Sequence, residues 1–287
     1  MLQSLRDSFG EPLGTKSAIL LALKSPAGLR FSWIVVEAEE DEAVYKKFMH
    51  PDSTVVKTSV DCTGRKGYSN VETIVRDVKE EEPRTHILGI RDADYSRYVK
   101  RYVVPVNIFL TDRRDLEMTL LESESVKHAL RIWAMNYDEA FAKCIPLCRY
   151  FGYLRIFNTV ADLSVRFHDH LRTSKFWDHK QHSAVESWKL DCTNKFVALS
   201  DGKCSVSDVN AFISTNKLNE EDFYDVCRGH DFIKLLSLAL IDVQTYSEVN
   251  IMKKMTEVYS LDDFKATKLY ASIKKWQDAE GVCTLLA

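Results

Sequence analysis

No apolar run in the 287-residue chain approaches the ~20 residues that a membrane-spanning helix needs. The N-terminus also lacks the apolar core of a signal peptide, and Ala18–Leu23 is too short for either and has lysines on both sides. These absences predict a soluble, cytoplasmic protein that does not engage a membrane. Cysteine pairs at C-x-x-C spacing are missing too, and the seven cysteines are odd in number, which argues against a disulfide framework and a zinc ribbon. Reduced thiols are the simplest account. Neither sign of charge dominates: 39 basic against 42 acidic side chains leave no whole-protein basic footprint, so nucleic-acid contact would have to come from local patches. Gly14-Thr-Lys16-Ser17 is not a P-loop, because its spacing from Gly10 is wrong and no strand precedes it. ATP hydrolysis by this chain is not expected. Internal repeats and low-complexity segments are absent.

What is present is ordinary globular material, with 45% hydrophobic and 28% charged residues. Residues 15–24 read as a short amphipathic helix. The near-continuous apolar run Phe31–Val36 then has the pattern of a parallel strand buried on both faces. A helix over 41–49, strands at Thr54–Thr58, His86–Ile90 and Asn107–Leu110, and helices at Val71–Lys79 and Leu116–Leu121 complete an alternation of strand and helix. Alternation at this pitch means βαβ units and a parallel sheet with flanking helices. Beyond residue 123 helical periodicity takes over, at Tyr137–Cys144, Asn158–His170, Asp231–Ile241, Glu248–Tyr259 and Leu261–Gln277. One strand or hairpin arm is expected near Lys195–Leu199. The expected division is an α/β domain over 1–122 and a mostly helical region over 123–287.

Open parallel sheets bind ligands at the carboxyl ends of their strands, and three predicted strands end in acid. The first runs into Glu37, Glu39, Glu40, Asp41 and Glu42, the third into Asp92 and Asp94, and the fourth into Asp112, Asp115 and Glu117. Asp92 and Asp94 are two apart and share a side in extended chain. Glu37 and Asp41 are four apart, across a strand-to-helix turn. Two carboxylates ~4 Å apart repel by about 4 kcal/mol at an effective dielectric near 20, so convergence of several requires a cation among them. Oxygen donors without His or Cys favour Mg²⁺ or Mn²⁺ over zinc. Such a site can activate water and stabilise a leaving oxygen in phosphoryl transfer.

Each acid also has a plain structural use. Glu39 to Glu42 suit a helix's first turn, Thr111 or Asp112 suits an N-cap with Asp115 or Glu117 in the turn that follows, and Asp92 and Asp94 suit a turn. Cations adjoin the acids. Arg97, Arg113, Arg114 and, on a Gly-Arg-Lys-Gly loop, Lys66 are candidate phosphate holders, while Tyr95, Tyr98 and Tyr102 either stack on bases or pack inward. His168, His170, His179 and His182 lack cysteine partners at zinc spacing and are not expected to form a site. Asp231 is expected as the N-cap of the helix it precedes.

An apolar strand ending in Glu, Ile34-Val-Val-Glu-Ala-Glu-Glu-Asp41, and a strand ending in Asp-x-Asp, Leu88-Gly-Ile-Arg-Asp-Ala-Asp94, resemble the motifs of the TOPRIM domain of topoisomerases, primases and OLD-family nucleases. Three further segments, Cys62–Val71, Leu110–Glu117 and Arg228-Gly-His-Asp231, resemble the TOPRIM-like effectors of bacterial anti-phage defence, notably the toxin subunit of PARIS systems. The resemblance spans about residues 30–122 and one short motif beyond. It implies a TOPRIM-like fold and a divalent-metal nuclease partnered by an ABC/SMC-like ATPase, with RNA, tRNA above all, favoured over DNA. By position it makes Glu37 a general base or metal ligand, Asp92 and Asp94 metal ligands, and Asp41, the second acid of the OLD-type E-x-x-x-D pattern, a further metal ligand. Asp115 and Glu117 match the subfamily's acidic motif. Ala38 departs from the pattern, standing where the family usually carries Gly to ease a sharp turn. An OLD-like DNA nuclease or nickase and a non-catalytic, magnesium-dependent partner-binding module are the alternatives. A homodimer, with the helical half as its interface, is a further expectation from the family.

Overall fold

Runs of Val, Ile and Leu form the strands, and segments with helical periodicity form most of the helices. The computed structural model describes residues 14–26, 28–58, 68–99, 102–240, 245–282 and 285–286. The first elements are α1 (Thr15–Leu23), β1 (Ser32–Val36), α2 (Glu39–Tyr45), β2 (Ser53–Lys57), α3 (Tyr68–Glu81), β3 (Ile87–Arg91) and β4 (Ile108–Leu110). Then come α4 (Leu116–Glu122), α5 (Glu124–Trp133), α6 (Tyr137–Val160), α7 (Phe167–His170) and the two-residue strands β5 (Trp177–Asp178) and β6 (Ser183–Ala184). The remainder is α8 (Trp188–Leu199), α9 (Val206–Thr215), α10 (Phe223–Val226), α11 (Gly229–Ala239), α12 (Glu248–Val258), α13 (Leu261–Lys265) and α14 (Lys268–Glu280). This is a mixed α/β architecture with a parallel sheet flanked by helices and a largely helical C-terminal half. Among the described residues no helix is long and apolar enough to cross a membrane.

The chain packs as two compact units, each gathered from separate stretches. The first holds the described parts of Met1–Asp92, Val103–Asp112 and Ser260–Ala287. Its sheet has the order β2-β1-β3-β4, with every neighbour parallel. Every residue of β1 and β3 is buried, as strands covered on both faces must be. Trp33, Val35 and Ile87 face α1 and α3, where Ile19, Leu23, Val71, Val75 and Val78 complete one core cluster. Each such fully buried aliphatic side chain contributes about 1.5–3 kcal/mol. Gly89 lets α3 lie close on the sheet, since a Cβ there would stand 2.5 Å from Val71 and 2.8 Å from Ile108.

The C-terminal helices of this unit break where one helix was expected over Leu261–Gln277. Thr267 starts α14 by accepting the Tyr270 N–H at 3.0 Å. Asp112, just beyond β4, accepts the N–H groups of Lys268 and Leu269, each at 2.7 Å. At the other end of β4, Asn107 accepts the Trp276 indole N–H at 2.9 Å. Asp112 thus caps a helix 156 residues downstream, and not the helix that follows β4.

The second unit comprises the described parts of Ala93–Tyr102 and Arg113–Tyr259. Its central element is α6, one 24-residue helix of which the expected helix Tyr137–Cys144 is only the first part. Pro146 lies inside it, and residues Tyr150 to Leu154 are buried in succession, so the amphipathic stripe of its first half does not continue through its middle. Asn158–His170 is not a helix. α6 ends at Val160, Asp162 and Ser164 take left-handed backbone conformations, and only Phe167–His170 is helical again. Lys195–Leu199, expected as a strand, is the last part of α8, whose Cys192 and Phe196 lie on a buried face. Cys144, Cys148, Cys192, Cys204 and Cys227 are free and buried, and burial pushes the thiols of Cys144, Cys148, Cys192 and Cys227 up. Cys62 and Cys283 lie outside the described residues.

Gly89→Ala forces α3 away from β3 and is expected to lower unfolding free energy by about 1–3 kcal/mol. Urea unfolding followed by circular dichroism checks this, and an unchanged midpoint would refute the close packing.

Candidate functional site

In the sheet of the first unit the chain leaves β1 for β2 on one side, then crosses to β3 and continues to β4 on the other. The strand order therefore reverses between β1 and β3, the place where open α/β sheets form their ligand crevice. The register pairs Ile34 with Leu88 and Val35 with Gly89, so both strands run out at the same edge. Glu37 and Asp92 are the residues that follow. They meet there: the Asp92 N–H donates to Glu37 Oε1 at 3.0 Å, and both side chains are half-buried. From the other neighbour, the Thr58 hydroxyl donates to the Glu37 carbonyl at 2.9 Å.

Asp41 lies one turn into α2, and its Oδ2 accepts the Ala38 N–H at 2.9 Å. Ala38 has φ −135° and ψ 178°, extended backbone that any residue adopts, so the turn after Glu37 needs no glycine. Glu39 pairs with Lys57 at 2.6 Å and Glu42 with Lys46 at 2.6 Å on the exposed side of the same helix.

Arg91 was not expected to matter. It is the last residue of β3, its side chain is 2% exposed, and its Nε stands 3.1 Å from Glu72 Oε1 on α3. Its Nη1 donates to the Asp92 carbonyl at 3.2 Å. The signal was a cation closing an otherwise apolar strand. Its counter-ion, Glu72, sits in a helix with no local mark to single it out.

Asp94 belongs to the second unit. The chain is not extended through it: Asp94 has φ +45°, a left-handed conformation that Asp tolerates. The expectation that Asp92 and Asp94 share a side because they are two apart therefore loses its premise. Asp94 accepts from Arg114 at 3.0 Å, and its N–H donates to the Arg114 carbonyl at 2.7 Å. The Arg114 guanidinium lies 4.6 Å from the centre of the Tyr95 ring and also pairs with Asp115. Tyr95 packs inward, and burial pushes its hydroxyl pKa up.

Asp115 is 2% exposed and N-caps α4. Its Oδ1 accepts the Met118 N–H at 3.0 Å, and its Oδ2 accepts the Gly229 N–H at 2.8 Å as well as Arg114. Gly229 is required by this approach, for a Cβ there would come 2.4 Å from the Glu117 Cβ and 2.6 Å from Asp115 Oδ1. Glu117 is thereby placed in the first turn of α4 beside the start of α11. Asp231 is not the N-cap expected of it. It lies in the first turn of α11 behind Arg228 and pairs with Arg155 at 2.7 Å.

Arg113 is surrounded by Glu122, Asp222 at 3.4 Å and Asp225 at 3.0 Å, and the hydrogen bond to Glu122 above all pushes its pKa up. Arg97 pairs with Asp225 at 2.5 Å. The expected phosphate holders Arg97, Arg113 and Arg114 are all engaged by carboxylates of their own unit. Lys66 lies outside the described residues, as does the His168 side chain, and His182 Nδ1 is 3.2 Å from the Leu238 carbonyl.

Among the described residues no group of three or more His, Cys, Asp or Glu is placed to hold a metal ion. Mg²⁺ is commonly held by only one or two carboxylates, with waters and substrate phosphates completing its shell. The oxygen donors of Glu37 and Asp92 at one strand-end edge fit that ion in kind and number. No protein-family model matches the chain, and no curated protein matches it.

Asp115→Ala leaves the buried Arg114 without this partner and removes the acceptor for Gly229. The expected loss is about 3–5 kcal/mol of stability, read by urea unfolding. Asp115→Ala with wild-type stability would show that these contacts hold nothing.

Proposed function

We propose that this chain is a divalent-metal-dependent nuclease whose reacting edge is built on Glu37 and Asp92. One observation carries the reading: these two acids leave adjacent central strands at the point where the strand order reverses, and they touch there at 3.0 Å. The resemblance of both strand-end motifs to the TOPRIM domain supports the same residues and the finer fold assignment.

Glu37 and Asp92 would hold Mg²⁺ or Mn²⁺, which would supply positive charge for a phosphodiester oxygen and lower the pKa of a water. Glu37 is anchored by the Asp92 N–H and takes the proton of the attacking water, whose oxygen bonds to phosphorus as the P–O ester bond breaks and the leaving oxygen takes a proton from solvent water. Proton transfer by a positioned side chain of this kind is worth roughly 10²–10⁴ in rate. Asp92 holds its own carboxylate at the same edge, and the Thr58 hydroxyl fixes the Glu37 backbone beneath it. Asp41, which closes the turn after Glu37, is a positioning acid. Asp94, Asp115 and Glu117 retain their expected place as acids of the family motifs. The burial and commitments of Asp115 favour a supporting role for it. RNA, with tRNA foremost, is the proposed substrate, and an ABC/SMC-like ATPase the proposed partner, both on the resemblance to anti-phage effectors.

Purified protein incubated with tRNA and with supercoiled plasmid, in Mn²⁺, Mg²⁺ or EDTA, tests the reading. Cleavage of tRNA that needs the cation is expected, with Glu37→Gln and Asp92→Asn each slowing it at least about 10²-fold while circular dichroism stays unchanged. Plasmid nicking in place of tRNA cleavage would move the substrate to DNA. Cleavage that survives EDTA, or full activity in Glu37→Gln, would end the proposal.

A further inference from the structure

We infer that Arg91, with Glu72 as its counter-ion, is a positioning residue that holds Asp92 for Glu37. The inference rests on the proposed function but concerns residues outside it. Arg91 is the only charged residue in the two central strands, and its side chain is almost wholly removed from solvent. A buried ion pair is a poor source of stability, since apolar side chains of similar volume commonly do as well or better. An aliphatic residue would therefore satisfy the packing of β3 at this position, as it does at Ile87, Leu88 and Ile90. What an aliphatic residue cannot do is donate to the Asp92 carbonyl.

The geometry makes that donation consequential. Asp92 is gripped on both sides of its Cα: its N–H is given to Glu37 at 3.0 Å, and its C=O receives Arg91 Nη1 at 3.2 Å. These two bonds constrain both soft dihedrals of a residue that has already left the strand. The guanidinium is itself fixed from two directions. Glu72 stands 3.1 Å from Nε on α3, and the close approach of α3 at Gly89 sets where Glu72 sits. The Arg91 main chain is held by β4, whose following residue Thr111 donates its N–H to the Arg91 carbonyl at 3.0 Å. Glu72 holds the guanidinium as an ion partner while Nη1 is aimed at the Asp92 carbonyl, and the point charge of a lysine has no such fixed direction.

The double variant Arg91→Met/Glu72→Met separates positioning from stability, because both charges leave together. It is expected to unfold at the wild-type urea midpoint. In the folded, metal-free state the Asp92 amide should exchange with solvent at least about ten-fold faster, and Mn²⁺ affinity measured by electron paramagnetic resonance should fall about 10–100-fold, the usual effect of losing a group that orients a ligand. In cleavage assays kcat should fall while KM holds. Glu72→Gln, which keeps the shape of the side chain, reads the same quantities should the double variant not fold. Wild-type Asp92 exchange in a folded variant overturns the inference. Mn²⁺ affinity in the wild type that is indifferent to Glu37→Gln instead overturns the proposed function, and Asp92 exchange still decides the positioning by itself.

Discussion

Parallel pairing of β1 with β3 is the constraint from which the candidate site follows. Two parallel strands in register deliver their next residues to one edge. Because the chain departs from these two strands in opposite directions, no connecting loop is obliged to cover that edge. Glu37 and Asp92 are separated by 55 residues of sequence and by one hydrogen bond in space. The bond runs from a backbone N–H to a carboxylate, a charge-assisted contact stronger than a neutral one. It also directs the carboxylate of one strand end towards the turn that carries the other. Nothing in either strand alone would accomplish this, and a slip of one residue in the register would send the two side chains to opposite faces.

The motif after β4 shows how differently adjacent charges can be used. Asp112 closes the N-terminus of α14, Arg113 gathers Glu122, Asp222 and Asp225, Arg114 ties Asp94 to Asp115, and Asp115 joins the starts of α4 and α11. Four consecutive charged residues thus have four separate structural assignments. A dense charged run reads as one cluster only while the chain is written as a line. In the fold its members turn to different helices, because helix starts offer unsatisfied N–H groups and draw the acids. The short segment Arg228-Gly-His-Asp231 receives the same explanation: Gly229 is small because Asp115 and Glu117 come against it, and Asp231 answers Arg155.

These particulars explain what was legible. The four strands of the sheet could be read closely because short β-branched and aliphatic runs bounded by turns and acids have few other uses, and full burial of β1 and β3 matched their unbroken hydrophobicity. Glu37 and Asp92 were legible for the same reason, as the first polar residues past buried strands. The course of α6 was not, because its middle, buried without a break from Tyr150 to Leu154, loses its periodicity and Pro146 imitates a terminus. Nor was the membership of α14 in the sheet's unit, which depends on Asp112 and Asn107 meeting residues more than 150 positions away. The change from strand–helix alternation to helical periodicity suggested a division of the chain near residue 122; the caps made by Asp112 and Asn107 follow long-range geometry, which periodicity does not encode.

Arg91 sharpens the distinction between acids that hold the fold and acids proposed for chemistry. Asp115 is buried, and each of its oxygens receives a donor from its own unit, with a guanidinium among them; such a carboxylate is a joint. Glu37 and Asp92 are only half-buried, at an edge where no helix start requires them. The cation nearest to them in the chain, Arg91, sets its charge against Glu72 and gives an Nη1 donor to the Asp92 carbonyl. Arg91 thus stiffens the turn while Glu72 balances its charge. A carboxylate pair held by backbone geometry while the local arginine is compensated elsewhere keeps the negative potential that the proposed divalent cation would require.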